Sequence, residues 1–133
     1  MIDLSLPLQA AIVKALKEDA ELIGLIGGRV YDRVPDNPVA PYITVGDMQV
    51  VDDSNPCQSL AEYSGLVDCW SEAVGYPEVK RIGAAAVRVL NAKLPVTGGA
   101  IIIHRVGVSY ARERDNLTSR AIIRPRYDIQ AQA

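Results

Sequence analysis

The stretch 59–90, "SLAEYSGLVDCWSEAVGYPEVKRIGAAAVRVL", changes its hydrophobic period partway along. Over 59–71 the residues alternate. Ala61, Tyr63, Gly65, Val67 and Cys69 fall on one side of an extended chain, and Leu60, Glu62, Ser64, Leu66, Asp68 and Trp70 on the other. That is a long β-strand. Neither side is cleanly polar, so the strand is either central in a layered fold or half-covered by a partner chain. From Gly75 the period becomes helical: Val79, Ile82, Ala86, Val89 and Leu90 share one face, with Glu78, Lys80, Arg81 and Arg88 largely opposite. Gly83 and Ala84–Ala86 leave that helix smooth enough to approach a sheet closely. Asn91, Pro95 and Gly98-Gly99 end it.

The same reading extends outward. Ser5 and Pro7 mark a helix start, and Leu8, Ile12, Ala15 and Leu16 recur at helical spacing. Asp19 is placed to cap a short following helix carrying Leu22, Ile23 and Ile26, which Gly27-Gly28 stop. "RVY" (29–31) and "YITVGDM" (42–48) read as strands around a loop holding Pro35, Pro38 and Pro41. "DDSNP" (52–56) is a turn cluster. "AIIIHRVGVSY" (100–110) and "RAIIRPRYDI" (120–129) are strands joined by the polar residues 111–119, hence an antiparallel hairpin. Pro125 predicts an edge or a bulge in the last strand. The order is α-β-β-β-α-β-β: an α+β fold, mostly antiparallel, with two amphipathic helices on one face of the sheet.

At 133 residues, with 49% hydrophobic and 23% charged, the chain has the length of one domain and enough apolar material for a core. There is no Phe and a single Trp, so aliphatic side chains must fill that core. The net charge of −2 argues against nucleic-acid binding by bulk electrostatics. The charge is unevenly spread. Residues 1–103 carry 8 Lys+Arg against 13 Asp+Glu; residues 104–133 carry six Arg against three acids and no Lys. Arg is the residue suited to bidentate pairing across an interface. Neither a basic leader followed by an apolar run nor a run of ~18 apolar residues occurs, so a soluble intracellular protein with no membrane partner is expected.

The candidate chemistry is sparse. His104 is the lone histidine, and Ser64, Ser109, Cys57 and Cys69 have no local signature that places a base beside them. Two cysteines make neither a disulfide framework nor a metal site. Asp52, Asp53 and Asn55 lack the alternation and central Gly of a calcium loop. The glycines at 24, 27 and 28 follow a helix, whereas a phosphate cradle opens one. No catalytic residue, cofactor or metal is expected. Asp32 and Arg33 read either as a local ion pair or as part of a docking edge, which the prolines pre-order.

Three pieces together carry a family resemblance. They are "LQAAIVKALKEDAELIGLIGGRVYDRVPDNPVAPYITVGD", "DCWSEAVGYPEVKRIGAAAVRVL", and an Arg-Asp connection followed by a strand. The chain resembles the small tail-completion, or tail-terminator, proteins of long-tailed phages, prophages and gene transfer agents, over about residues 8–129. The most specific element is Gly-x-Arg-Val-Tyr-Asp followed by Pro-Tyr-Ile-x-Val-Gly, carried by Gly27 or Gly28, Arg29 to Asp32, Pro41, Tyr42, Ile43, Val45 and Gly46. The second is Trp70-Ser71 with Gly75 and the helix after it. The sequence departs from the family at Pro125, where a plain strand is usual, and in a shorter loop at 52–59.

The resemblance implies a non-enzymatic structural protein. Such proteins assemble as a ring, usually of six, that stops tail-tube growth and joins the tube to the head connector. Double-stranded DNA passes through the channel with transient, non-specific contact. The implied partners are copies of the chain, the tail tube protein and the connector protein. The implied location is the host cytoplasm during assembly and the virion afterwards. On this reading Tyr31, Asp32, Arg33, Pro35 and Pro38 form a subunit interface, and Arg112 and Arg114 in the last connection face the tube or channel. From chemistry alone, the residues also fit an intracellular α+β domain that binds a small ligand or regulates a partner.

Overall fold

The structure is a computed structural model that describes residues 1–132. Helices α1 (Ser5–Glu18) and α2 (Ala20–Ile26) precede strands β1 (Val30–Tyr31), β2 (Tyr42–Asp52) and β3 (Leu60–Ser71); α3 (Pro77–Leu90), β4 (Gly99–Arg112) and β5 (Ser119–Ala131) follow. The fold is α+β, as the sequence predicts. The strands form a five-stranded sheet in the order β1-β2-β3-β5-β4, antiparallel except for the β1–β2 pair.

The middle strand is β3, which accounts for its apolar character on both sides. On the helix side Ala61, Tyr63, Val67 and Cys69 are buried. On the other side Leu60, Glu62, Leu66 and Trp70 are half-buried and Asp68 is buried. The predicted face of α3 is the buried one: Val79, Ile82, Ala86, Val89 and Leu90 all enter the core, and the helix packs on β3, β4 and β5. Each of its large aliphatic side chains contributes about 1.5–3 kcal/mol through burial. Gly83 sets the approach distance, since a Cβ there would lie 2.8 Å from the Tyr110 hydroxyl oxygen and 3.2 Å from Ala121 Cβ. Leu8, Ile12 and Leu16 of α1 fill the space against α3, β1 and β2.

The helix boundaries mostly follow the sequence signals. Asp19 accepts a hydrogen bond from the Leu22 amide and caps α2, and Gly27 ends it with a left-handed backbone at φ 63°. Ser5, by contrast, is no cap: it is the first residue of α1, and its amide donates to the Asp3 carboxylate.

Pro125 also sits elsewhere than predicted. It is buried inside the sheet on β5, between β3 and β4, and no edge strand carries it. The reason is local. Pairing with β4 runs unbroken through Val106↔Pro125, while pairing with β3 skips from Ser64↔Arg126 to Val67↔Ile123. The missing amide therefore faces β3, where Gly65 stands opposite; a Cβ on Gly65 would lie only 3.3 Å from Pro125 Cγ. At the same level β2 shifts register between Val45 and Met48.

Candidate functional site

One end of the sheet gathers the residues that the sequence singles out. β1 and β2 enter it side by side, and the ten-residue connection between them (32–41) starts and finishes there. Its ends are clamped: Arg29 Nε donates to the Pro41 carbonyl at 2.9 Å, and the Tyr31 and Tyr42 rings meet with centroids 6.0 Å apart. Tyr42 in turn stacks on Trp70 of β3 at 6.4 Å, and the Trp70 indole donates to Thr44 Oγ1 at 3.0 Å. Burial, helped by the Glu72 carboxylate and Tyr31, pushes the Tyr42 hydroxyl above its ordinary pKa.

The stack continues into an ion pair. The Arg120 guanidinium lies 4.8 Å over the Trp70 ring and donates to both Asp68 carboxylate oxygens, at 3.0 and 2.9 Å. Glu113 approaches the same guanidinium at 3.7 Å. Further along the open face Arg126 pairs with Glu62 at 2.6 Å. Two of the six arginines that make the C-terminal part basic are therefore matched by acids from β3.

Between these clamps the connection itself projects. Asp32, Arg33 and Pro35 are exposed, Tyr31 and Pro38 are half-buried, and Val39 is 64% exposed. Among the described residues Asp32 and Arg33 form no ion pair; the Asp32 carboxylate accepts instead from Gln9 of α1, at 3.5 Å. A groove of about 720 Å³ runs between α1 and this edge, lined by Leu6, Ala10, Val13, Tyr31, Asp32 and Arg33.

The two predicted arginines part company. Arg112 is the last residue of β4, not part of the connection, and its guanidinium lies 5.0 Å over the Tyr76 ring. Arg114 sits in the turn 113–118 and lines a groove of about 420 Å³ with Ala40, Tyr42, Trp70, Glu72 and Thr118. Asp115 orders that turn by accepting from the Leu117 and Thr118 amides and the Thr118 hydroxyl. Those bonds, the Thr118 amide first, hold its carboxyl below the usual range. The end of the proline loop, at Ala40, and the β4–β5 turn thus line one groove. The sequence gives no sign that they meet there, nor of the Asp68–Arg120 pair, whose guanidinium lies over the groove-lining Trp70.

The remaining reactive side chains have structural surroundings. His104 Nδ1 lies 2.9 Å from the Asn91 side chain at the end of α3. Burial pushes the Cys69 thiol far up, leaving it un-ionised, while Cys57 is exposed in the β2–β3 loop. Among the described residues no three His, Cys, Asp or Glu converge as a metal site, and no helix is long and apolar enough to cross a membrane.

The family model described as "Tail completion protein gp17" matches residues 10–127. A chain of the solved structure "Virion of native gene transfer agent (GTA) particle" superposes with a TM-score of 0.89 at 26% sequence identity, covering 98% of this chain and 100% of that one. No curated protein matches the sequence.

Proposed function

The chain belongs to the tail completion protein gp17 family, structural proteins of phage-type tails, and on that premise we propose that it caps the tail tube and joins it to the head connector as a six-membered ring around a DNA channel. The observation that carries this reading is the likeness along nearly the whole chain to a component of a gene transfer agent virion. The charge division supports it as well: an acidic first part and an Arg-rich last part suit head-to-tail contacts, which close into rings when the rotation permits. Residues 1–133 act as one tail-terminator domain. The chain needs no cofactor and no catalytic group, meets the tube protein, the connector and passing double-stranded DNA, and assembles in the bacterial cytoplasm before residing in the particle.

Tyr31, Asp32, Arg33, Pro35 and Pro38 serve as the subunit contact. Their backbone is held at both ends by Arg29 and the Tyr31–Tyr42 rings, so docking them orders little that is not already ordered. Absolute mass in solution tests the ring. From a chain of 14.4 kDa, six copies give about 86 kDa, either for the protein alone or after mixing with tail tubes. A monomer under both conditions removes the ring. Alanine at Tyr31, Asp32 or Arg33 should then weaken assembly roughly tenfold each; an unchanged mass profile for all three would remove that interface.

Arg114 is the better placed of the two arginines to meet the tube or channel, since Arg112 already rests on Tyr76. Arg114→Glu should leave the ring mass unchanged and lower tail joining by about an order of magnitude. Normal joining by that variant would overturn the assignment.

A further inference from the structure

We infer that neighbouring copies join by adding strand to strand, the outer edge of β4 pairing with the outer edge of β2 in the next copy. This deepens the ring reading and rests on it. The fourteen-residue strand β4 is the last in the sheet, with nothing paired to its outer side among the described residues. At the opposite border β1 covers β2 only at Ile43 and Thr44, so Gly46–Asp52 is also without an outer partner there. A row of open amides and carbonyls is a template for another strand, and folds that stay monomeric blunt it. Here the β4 edge exposes Ile102 and Ile103, at 52% and 59%.

The two open segments stand at matching heights. Asp52 is level with Ala61, Ile129 and Ile101, and Gln49 is level with Ser64, Arg126 and Arg105. Gly46–Asp52 of one copy therefore faces Ile101–Gly107 of the next with no slip along the strands. Direction also agrees. Three antiparallel steps separate β2 from β4, so the two run oppositely. Rotation about an axis along the strands keeps each direction, and the new pair is antiparallel. Charge selects a second copy as the occupant: the β2 border carries Asp47 and Asp52, followed by Asp53, while the facing part of β4 carries Arg105 and the strand holds no acidic residue. Above the open segment β1 takes the place next to β2. Val30 is level with Tyr110 and Tyr31 with Ser109, so Ser109–Tyr110 of β4 meets β1 of the neighbour side-on.

Cysteine pairing tests the register. In a Cys57→Ser background, Arg105→Cys is combined with Gln49→Cys or with Val51→Cys and oxidised in the assembled state; Arg105→Cys with Gln9→Cys on α1 is the control. Expected is a covalent ladder of chain multiples from at least one strand pair and none from the control, because a disulfide needs Cβ atoms about 3.5–4.5 Å apart. In parallel, Arg105→Glu should weaken assembly about tenfold and Asp47→Arg should restore it. A ring of the right mass with no ladder from either pair, and no rescue, would overturn edge pairing while leaving the ring intact. A chain that never assembles, alone or on tubes, removes both.

Discussion

Arg120→Met should lower the free energy of unfolding by about 3 kcal/mol, because it strands a carboxylate inside the protein. Asp68 is only 5% exposed, and Arg120 satisfies both of its oxygens. A buried charge that loses its partner keeps its desolvation cost and gains nothing in return. The guanidinium also leaves the Trp70 ring, so the floor of the groove loosens with the pair. Asp68→Leu combined with Arg120→Met should recover most of the loss, since the cost lies in the orphaned charge rather than in the absence of the pair. Arg126→Met is the internal comparison. Its pair with Glu62 is half-exposed, and its removal should cost under about 1 kcal/mol. Urea unfolding of the three variants beside the wild type measures all of this. Equal small losses for Arg120→Met and Arg126→Met would mean that water already reaches Asp68.

Tyr127→Ala should cost about 4 kcal/mol, the range for emptying a fully buried aromatic site. The ring is 1% exposed, and its hydroxyl donates to the Leu90 carbonyl at 2.6 Å, satisfying an acceptor at the end of α3. Tyr127→Phe keeps the ring and orphans that carbonyl, for about 1–2 kcal/mol. The two variants separate packing from hydrogen bonding at one position. A pH signature accompanies them. Burial raises the Tyr127 hydroxyl far above its ordinary value, so the unfolded chain releases the proton first. The resulting stability is complete below about pH 10 and is lost as the pH climbs beyond it. Tyr127→Phe lacks that contribution, so the gap between wild type and Tyr127→Phe should narrow above pH 10. A gap that stays constant would mean the hydroxyl ionises as freely when folded.

Much of this architecture is written locally. The change of period in 59–90, the glycine stop at Gly27 and the cap at Asp19 each depend on neighbours within a few residues, and each is found where the sequence places it. Pro125 shows where local reading stops. Proline signals a missing donor, but whether that donor faces open space or a glycine on the next strand depends on a partner at Gly65. The candidate site has the same limit. Tyr31–Pro38 and Arg114 are legible as loop residues, but that Tyr31–Arg33 border a groove with α1 while Arg114 borders another with Ala40 and Trp70 depends on pairings between distant strands. Asp68 and Arg120 are 52 positions apart, and only the β3–β5 pairing brings them together.

The gap at Gly65 and Pro125 does not stand alone. The irregular step of β2 at Gly46–Asp47 lies beside it, and Val106–Gly107 of β4 lies on its other side. A transverse seam therefore crosses the sheet, poor in side chains and short of a hydrogen bond, with a stiffer plate above and below. The upper plate carries the groove and the lower one ends in the β2–β3 hairpin tip; α3 spans both, with Gly83 against Tyr110 and Ala121 above the seam and the Leu90 carbonyl accepting from Tyr127 below it. The helix is therefore a splint laid across a score line: where the sheet itself is weakest, α3 ties the hairpin end to the groove end.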